Sequence, residues 1–176
     1  MSAGAIDISR MAWAAGGDTI RVGLIGCGGR GTGAAQDALD ADPGARLVAM
    51  SDVFADKVTA SLDQIRSRHG ERAAVDADHR FAGLDGYKRV IESSDVVLIA
   101  CASRFHPRYL REAIDAGKHV FVEKPHGIDP VGARATQEAA DLARSKGLSV
   151  LSGLHNRFDL GVREIMKRIH GARSER

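Results

Sequence analysis

The stretch "RVGLIGCGGRGTG", Arg21 to Gly33, constrains this chain more than any other. An apolar run, Ile20 to Ile25, has the length and content of a buried strand. It ends abruptly in five glycines between Gly26 and Gly33. Glycine is the residue a chain needs where the backbone must turn sharply or another group must come close. A helical segment follows from Thr32 to Leu39 and closes before Pro43. Strand, glycine turn and helix in that order open a βαβ unit.

The alternation continues along the chain. Strand-like runs are predicted at Leu47–Met50, His79–Ala82, Asp95–Ala100, His119–Lys124 and Leu148–Leu154. Helical segments are predicted at Ala55–Arg68, Leu84–Glu92, Pro107–Ala116 and from the Asp129-Pro130 cap pair to Lys146. Pro107 near a helix start and Gly117 just past its end follow the usual terminal asymmetry, as do Asp129 and Gly147. "DVVLIA", apolar throughout, suits a parallel strand covered on both faces. Connections this long are crossovers rather than hairpins, which predicts a doubly wound parallel sheet. With 176 residues, 44% apolar and 27% charged, the chain has material for one α/β domain with a proper core. The predicted division is a loose arm over 1–18, a domain over 19–158 and a helix over 159–176 that leads away from it. That helix is amphipathic, with Val162, Ile165, Met166 and Ile169 on one stripe.

Gly26, Gly28 and Gly31 fit G-x-G-x-x-G, and Asp52 ends the next strand about 20 residues later. This is the Rossmann dinucleotide pattern. Gly26 permits the turn, Gly28 lets a pyrophosphate approach the backbone, and Gly31 lets the helix pack on the strand. The residues expected to face the phosphates are Gly26, Cys27, Gly28, Gly29, Arg30 and Gly31. Asp52 is expected to accept hydrogen bonds from a ribose diol and to repel a 2′-phosphate, favouring NAD over NADP. An S-adenosylmethionine site, with a similar first turn and acid, is the rival reading. A P-loop is excluded because no Gly-Lys-Ser/Thr follows.

Ligands of doubly wound sheets bind outside the carboxyl ends of the strands. There the sequence places "CASRFHP", "EKPHG" and "LHNRF". Ala100, Cys101, Ala102 and His106 are candidates to face the cofactor, as are Glu123, Lys124 and Pro125. Lys124, aimed by Pro125, can exchange a hydrogen bond or proton with a substrate oxygen if partly desolvated, or is a surface lysine beside a turn proline. His106 either contacts the nicotinamide end or simply opens a helix. His126 is read as a loop residue rather than a ligand. Arg104 could meet an anion, and Asn156 and Arg157 could reach a ligand or face solvent. Cys27 and Cys101 are read as small residues tolerated at turns, not as nucleophiles. No Cys/His spacing suggests a disulfide framework or a metal site.

"IRVGLIGCGGRGTGAA", "DVVLIACASRFHP", "EAIDAGKHVFVEKPHGIDP" and "GLHNRF" together resemble the Gfo/Idh/MocA family, named for glucose–fructose oxidoreductase and inositol dehydrogenase. "AGKHVFVEKP", Ala116 to Pro125, is the most specific part, and the resemblance covers about Gly17 to Ala172. It implies an NAD(P)-dependent oxidoreductase passing hydride between nicotinamide and a CH–OH carbon of a sugar or polyol. It implies that Lys124 contacts the reacting oxygen while Glu123 and Pro125 hold it, and that His106 lies near the cofactor. It also implies a second α/β domain carrying most of the substrate pocket and the residues that complete proton transfer. The helix reaching "IMKRIH" is where the family leads on into that domain, but "GARSER" does not resemble the continuation, so the expectation is a truncated or frame-shifted member, weak or inactive alone. A non-catalytic NAD-binding module is the alternative.

The net charge of +2 gives no argument for nucleic acid. The basic residues Lys167, Arg168, His170, Arg173 and Arg176 are read as a solvated helix end. No apolar run approaches the roughly 18 residues of a membrane span. Two cysteines fit a reducing, cytoplasmic setting. Export by the twin-arginine route is the alternative if the true start lies upstream. The stripe from Val162 to Ile169 is expected to be exposed and to favour self-association.

Overall fold

The computed structural model describes residues 19–174, so the predicted arm at 1–18 lies outside the described residues. Six strands form one parallel sheet: β1 Ile20–Ile25, β2 Ala45–Asp52, β3 Arg80–Ala82, β4 Val96–Ile99, β5 His119–Val122 and β6 Val150–Ser152. Their order is β3-β2-β1-β4-β5-β6 and every pairing is parallel. This is the dinucleotide-binding order, with its switch point between β1 and β4. The helices are α1 Gly29–Ala41, α2 Ala55–His69, α3 Gly86–Ser93, α4 His106–Asp115, α5 Pro130–Ser145 and α6 Leu160–Ser174.

Side-chain alternation along the strands builds two cores. Val22, Leu24 and Leu98 face α1 and α2, packing with Leu39, Leu62 and Ile65. Ile25, Val97 and Ile99 face the opposite side, packing with Val90, Leu110, Ile114 and Ala139. Each cover is therefore apolar on the stripe its sequence period predicts. The bonded caps form as read: Asp129 Oδ1 accepts the Gly132 N–H at 2.7 Å, and Gly117 and Gly147 close α4 and α5 at φ of 74° and 70°.

Three expectations need correction. The helix after the glycine turn begins at Gly29, not Thr32, so Gly29, Gly31 and Gly33 lie inside α1. β5 ends at Val122, which puts Glu123 and Lys124 just beyond the strand rather than within it. β6 is a three-residue edge strand whose Leu151 is exposed, because an edge strand lacks a neighbour on one side.

α6 stands apart from the sheet. Val162, Ile165, Met166 and Ile169 are all exposed, as expected. No described helix is long and apolar enough to cross a membrane.

The tightest packing lies at the first turn. A Cβ on Gly31 would come within 1.8 Å of the Gly26 carbonyl oxygen, whereas one on Gly29 would meet nothing within 4 Å. Gly31→Ala is expected to destabilise by about 1–3 kcal/mol through overpacking. Gly29→Ala is expected to be neutral or stabilising by up to about 1 kcal/mol through helix propensity. Urea midpoints of the two variants check this.

His69, at the end of α2, supplies a pH dependence. Arg72 Nη2 lies 3.2 Å from His69 Nδ1, and a guanidinium can only donate. The neutral ring therefore carries its proton on Nε2, a buried atom with no partner. Burial holds this histidine below its ordinary value. Asp40 opposes that shift, while Arg72 and Arg68 add to it. The unfolded chain then binds the extra proton, so stability from this group is present above about pH 6.5 and lost as pH falls below it. Denaturant midpoints between pH 7.5 and 5.5 should fall less steeply in His69→Leu than in the wild type.

Candidate dinucleotide site

The ends of β1, β2 and β4 meet at the switch point and leave a cleft of about 280 Å³ between them. Gly26 turns the chain out of β1 at φ of 97°, a conformation that side chains rarely adopt. A Cβ there would also collide with the Cys101 backbone at 2.5 Å. The turn therefore has to be glycine for both reasons. Gly28 precedes α1 with extended backbone and makes no side-chain cap, and the first turn of α1 contains no acidic residue. The N–H groups at this helix start are thus free to receive an anion.

Asp52, the last residue of β2, faces the turn. Its Oδ2 accepts the Cys27 N–H at 2.8 Å and its Oδ1 accepts the Phe54 N–H at 3.1 Å. A carboxylate has about four acceptor positions, so each oxygen keeps capacity for a ligand hydroxyl. The cleft wall continues through Val53, Phe54 and Leu84, whose exposed apolar side chains form its rim. Tyr87 and Tyr109 stack at 3.8 Å between centroids beneath it, and the Tyr87 hydroxyl donates to Glu112 Oε2 at 2.6 Å. An apolar slot with an acid at its edge can take a flat heterocycle and its attached diol.

These wall residues were not legible as site residues. Phe54, Leu84, Tyr87 and Tyr109 look like ordinary surface or core positions in one dimension. The position of Phe54, two residues past the acid that ends a strand, was the available signal.

Cys27 is buried and Cys101 half-buried beside the turn. Burial, with the Asp52 charge adding, pushes both thiols up to about 12. Neither is a thiolate at neutral pH, in keeping with their reading as packing residues. Ala100 and Cys101 line the inner cleft, and Ala102 is exposed at its edge.

The second constellation lies past β5. His106 is 1% exposed, and its Nδ1 and Nε2 lie 2.8 and 2.9 Å from the carbonyls of Pro125 and Cys101. Both edges of the ring are taken up by the main chain. It ties the β4 exit to the turn after β5 and opens α4. The Lys124–Pro125 bond is cis, and both residues are exposed. The Lys124 ammonium makes no hydrogen bond or ion pair among the described residues. Leu154 and the His155–Arg157 turn stand beside it and line a hollow of about 300 Å³ with it. His126 packs inward instead: its Nε2 lies 2.8 Å from Ser152 Oγ, and Thr136 Oγ1 donates to its carbonyl at 2.6 Å. Burial, and then His106, hold its ring below the ordinary value, with Glu123 opposing. Arg104, Asn156 and Arg157 are exposed. Among the described residues no group of three or more His, Cys, Asp or Glu is placed to hold a metal ion.

Residues 20–154 match the model of the oxidoreductase family GFO_IDH_MocA, described as an NAD-binding Rossmann fold. Inositol 2-dehydrogenase of Cereibacter sphaeroides is 32% identical over 143 residues, which is 81% of this chain and 39% of that protein. Inositol 2-dehydrogenase of Agrobacterium fabrum is 34% identical over 145 residues, again 81% and 39%. Among solved structures, scyllo-inositol dehydrogenase of Lactobacillus casei with bound NAD(H) and scyllo-inositol is similar, with a TM-score of 0.65 and 26% identity. That match covers 89% of this chain and 42% of the other. The chain thus spans about two fifths of the length of these relatives. Glycine turn, switch-point cleft and the match over residues 20–154 agree: the chain belongs to the Gfo/Idh/MocA oxidoreductase family and has its NAD-binding Rossmann fold.

Proposed function

We propose that this chain binds NAD(H) across the β1–β4 switch point as the cofactor-binding part of a polyol or sugar dehydrogenase. The observation that carries the reading is Asp52, held by two main-chain N–H groups at the rim of the cleft beside the glycine turn. The fit is supported residue by residue. The cleft is near the lower end of the roughly 300–1,000 Å³ range of small-molecule sites. That suits the adenosine half, between Phe54 and the Tyr87–Tyr109 stack. Gly28 and Gly29 offer an open helix start for the pyrophosphate, since among the described residues no atom beyond the adjoining residues and helix backbone lies within 4 Å of where their Cβ would be. The second half would extend toward Ala102, His106 and the Lys124 turn. When bound, the nicotinamide supplies hydride acceptance or donation at its ring.

The residues of the chain do the rest. Asp52 selects a ribose diol over a 2′-phosphate by hydrogen bonding and charge, which supports NAD over NADP. Lys124, at the end of β5, would hold the reacting oxygen and move its proton, with Glu123 and Pro125 fixing the turn. A solvent-exposed lysine is a poor general base, because placement and water exclusion each contribute orders of magnitude. The Lys124 turn therefore needs a further cover for full activity, and binding without turnover is the expected behaviour of this chain alone. A cytoplasmic setting belongs to the same proposal, supported by two unpaired cysteines.

Calorimetric titration tests the reading. NADH is expected to bind, NADPH about tenfold more weakly or worse, and S-adenosylmethionine not at all; preference for S-adenosylmethionine would overturn it. Asp52→Ser should weaken NADH and narrow the NADH/NADPH ratio by about tenfold, or 1.4 kcal/mol. Self-association through the exposed α6 stripe is the companion proposal. Sedimentation should show concentration-dependent dimers that Ile165→Lys abolishes while the urea midpoint stays within about 0.5 kcal/mol of wild type.

A further inference from the structure

One ion pair joins the two constellations. Arg30, the second residue of α1, donates from Nε to Glu123 Oε1 at 2.5 Å, across 93 positions of sequence. The Glu123 side chain is 6% exposed and that of Arg30 49%. The other carboxylate oxygen, Oε2, accepts the Lys124 N–H at 3.2 Å. Gly153, just past β6, forms the floor of the slot: a Cβ there would stand 2.7 Å from the carboxyl carbon. The carboxylate is thus boxed by glycine below, tied to the lysine turn on one side and to the glycine turn on the other.

The charge ledger of this pair decides what Arg30 can do. A buried carboxylate is costly unless paired, and among the described residues Arg30 is the ion-pair partner of Glu123. The remaining contacts of Arg30 are weaker: Nη1 lies 3.4 Å from Asp37 Oδ2, and the guanidinium stands 6.0 Å from the Phe121 ring centroid. Arg30 springs from the same turn whose N–H groups face the cleft. The reach of one arginine side chain therefore separates Glu123 from that turn, about a Debye length or less at physiological salt. Uncompensated, Glu123 would oppose any phosphate arriving there.

We propose that Arg30 is a positioning residue of the dinucleotide site: it cancels the charge of Glu123 beside the phosphate-facing turn and, through Glu123, anchors the Lys124 amide, without itself holding phosphate. This rests on the dinucleotide reading above. It deepens that reading by separating the role of the Arg30 side chain from that of its main chain.

The test titrates adenosine, ADP and NADH into wild type, Arg30→Met, Arg30→Lys, Glu123→Gln and the Arg30→Met/Glu123→Gln double variant. Far-UV circular dichroism reports folding of each. Arg30→Met is expected to weaken ADP and NADH about tenfold, an energy in the range of coupled neighbours, and to leave adenosine within about twofold. Adding Glu123→Gln should restore ADP to within about threefold of wild type. Arg30→Lys, which keeps the cation, should retain ADP affinity. Glu123→Gln alone leaves no buried carboxylate and should bind ADP at least as tightly as wild type, so it decides the matter even if Arg30→Met does not fold. A double variant as weak as Arg30→Met would make Arg30 itself the phosphate ligand and overturn the proposal. So would an unchanged Arg30→Met, an equal loss for adenosine, or weaker ADP binding by Glu123→Gln. A folded wild type that binds neither ADP nor NADH would overturn the dinucleotide reading itself. That outcome is distinct from normal wild-type binding with failed rescue.

Discussion

The contact of Gly31 with the Gly26 carbonyl governs the rest of the molecule. With no side chain between them, α1 starts almost on the end of β1. This proximity directs the first turn of the helix, with its uncapped N–H groups, over the sheet edge where β1 and β4 diverge. The same turn brings the Cys27 N–H to Asp52, so the acid at the end of β2 is oriented by the glycine segment it serves. A larger residue at either glycine would push the helix outward and separate the elements that form the cleft.

A second level of organisation rests on main-chain groups held by buried polar side chains. His106 bridges the carbonyls of Cys101 and Pro125, and Glu123 bridges Arg30 and the Lys124 N–H. Both link strand exits far apart in sequence. Side chains that look like chemical actors in "CASRFHP" and "EKPHG" therefore spend their polar atoms on scaffolding. Lys124 and Arg104 present their charges outward. This division fits the general rule that buried polar groups find partners, and that a side chain left free at a strand end is available for a ligand.

Much of the fold was legible because period, turn residues and strand order obey local rules. The six strand-like runs each hold a strand, and the Asp129 cap and the glycine stops at Gly117 and Gly147 sit where the structure has them. Asp52 was legible through spacing alone. The aromatic wall was not, because Phe54, Tyr87 and Tyr109 come from three elements whose meeting depends on crossover geometry. The fate of His106 was equally hidden: sequence placed it at a helix start but could not say which carbonyls its ring would meet. The exposure of Lys124 was one of two readings the sequence left open, for a different reason. Whether a strand-end lysine is desolvated depends on what covers the sheet edge, and that is a property of packing, not of its neighbours in sequence.

By itself, the sequence determined the class of fold and the place of the cofactor turn, since glycine spacing and two- or 3.6-residue periodicity act through local sterics. It also determined that α6 would carry an apolar stripe. Only the tertiary structure decided which side chains close the cleft, that Arg30 meets Glu123, and that Gly153 makes room for that carboxylate. These contacts join residues separated by tens of positions. They follow from how parallel strands stack side by side, which no local pattern encodes.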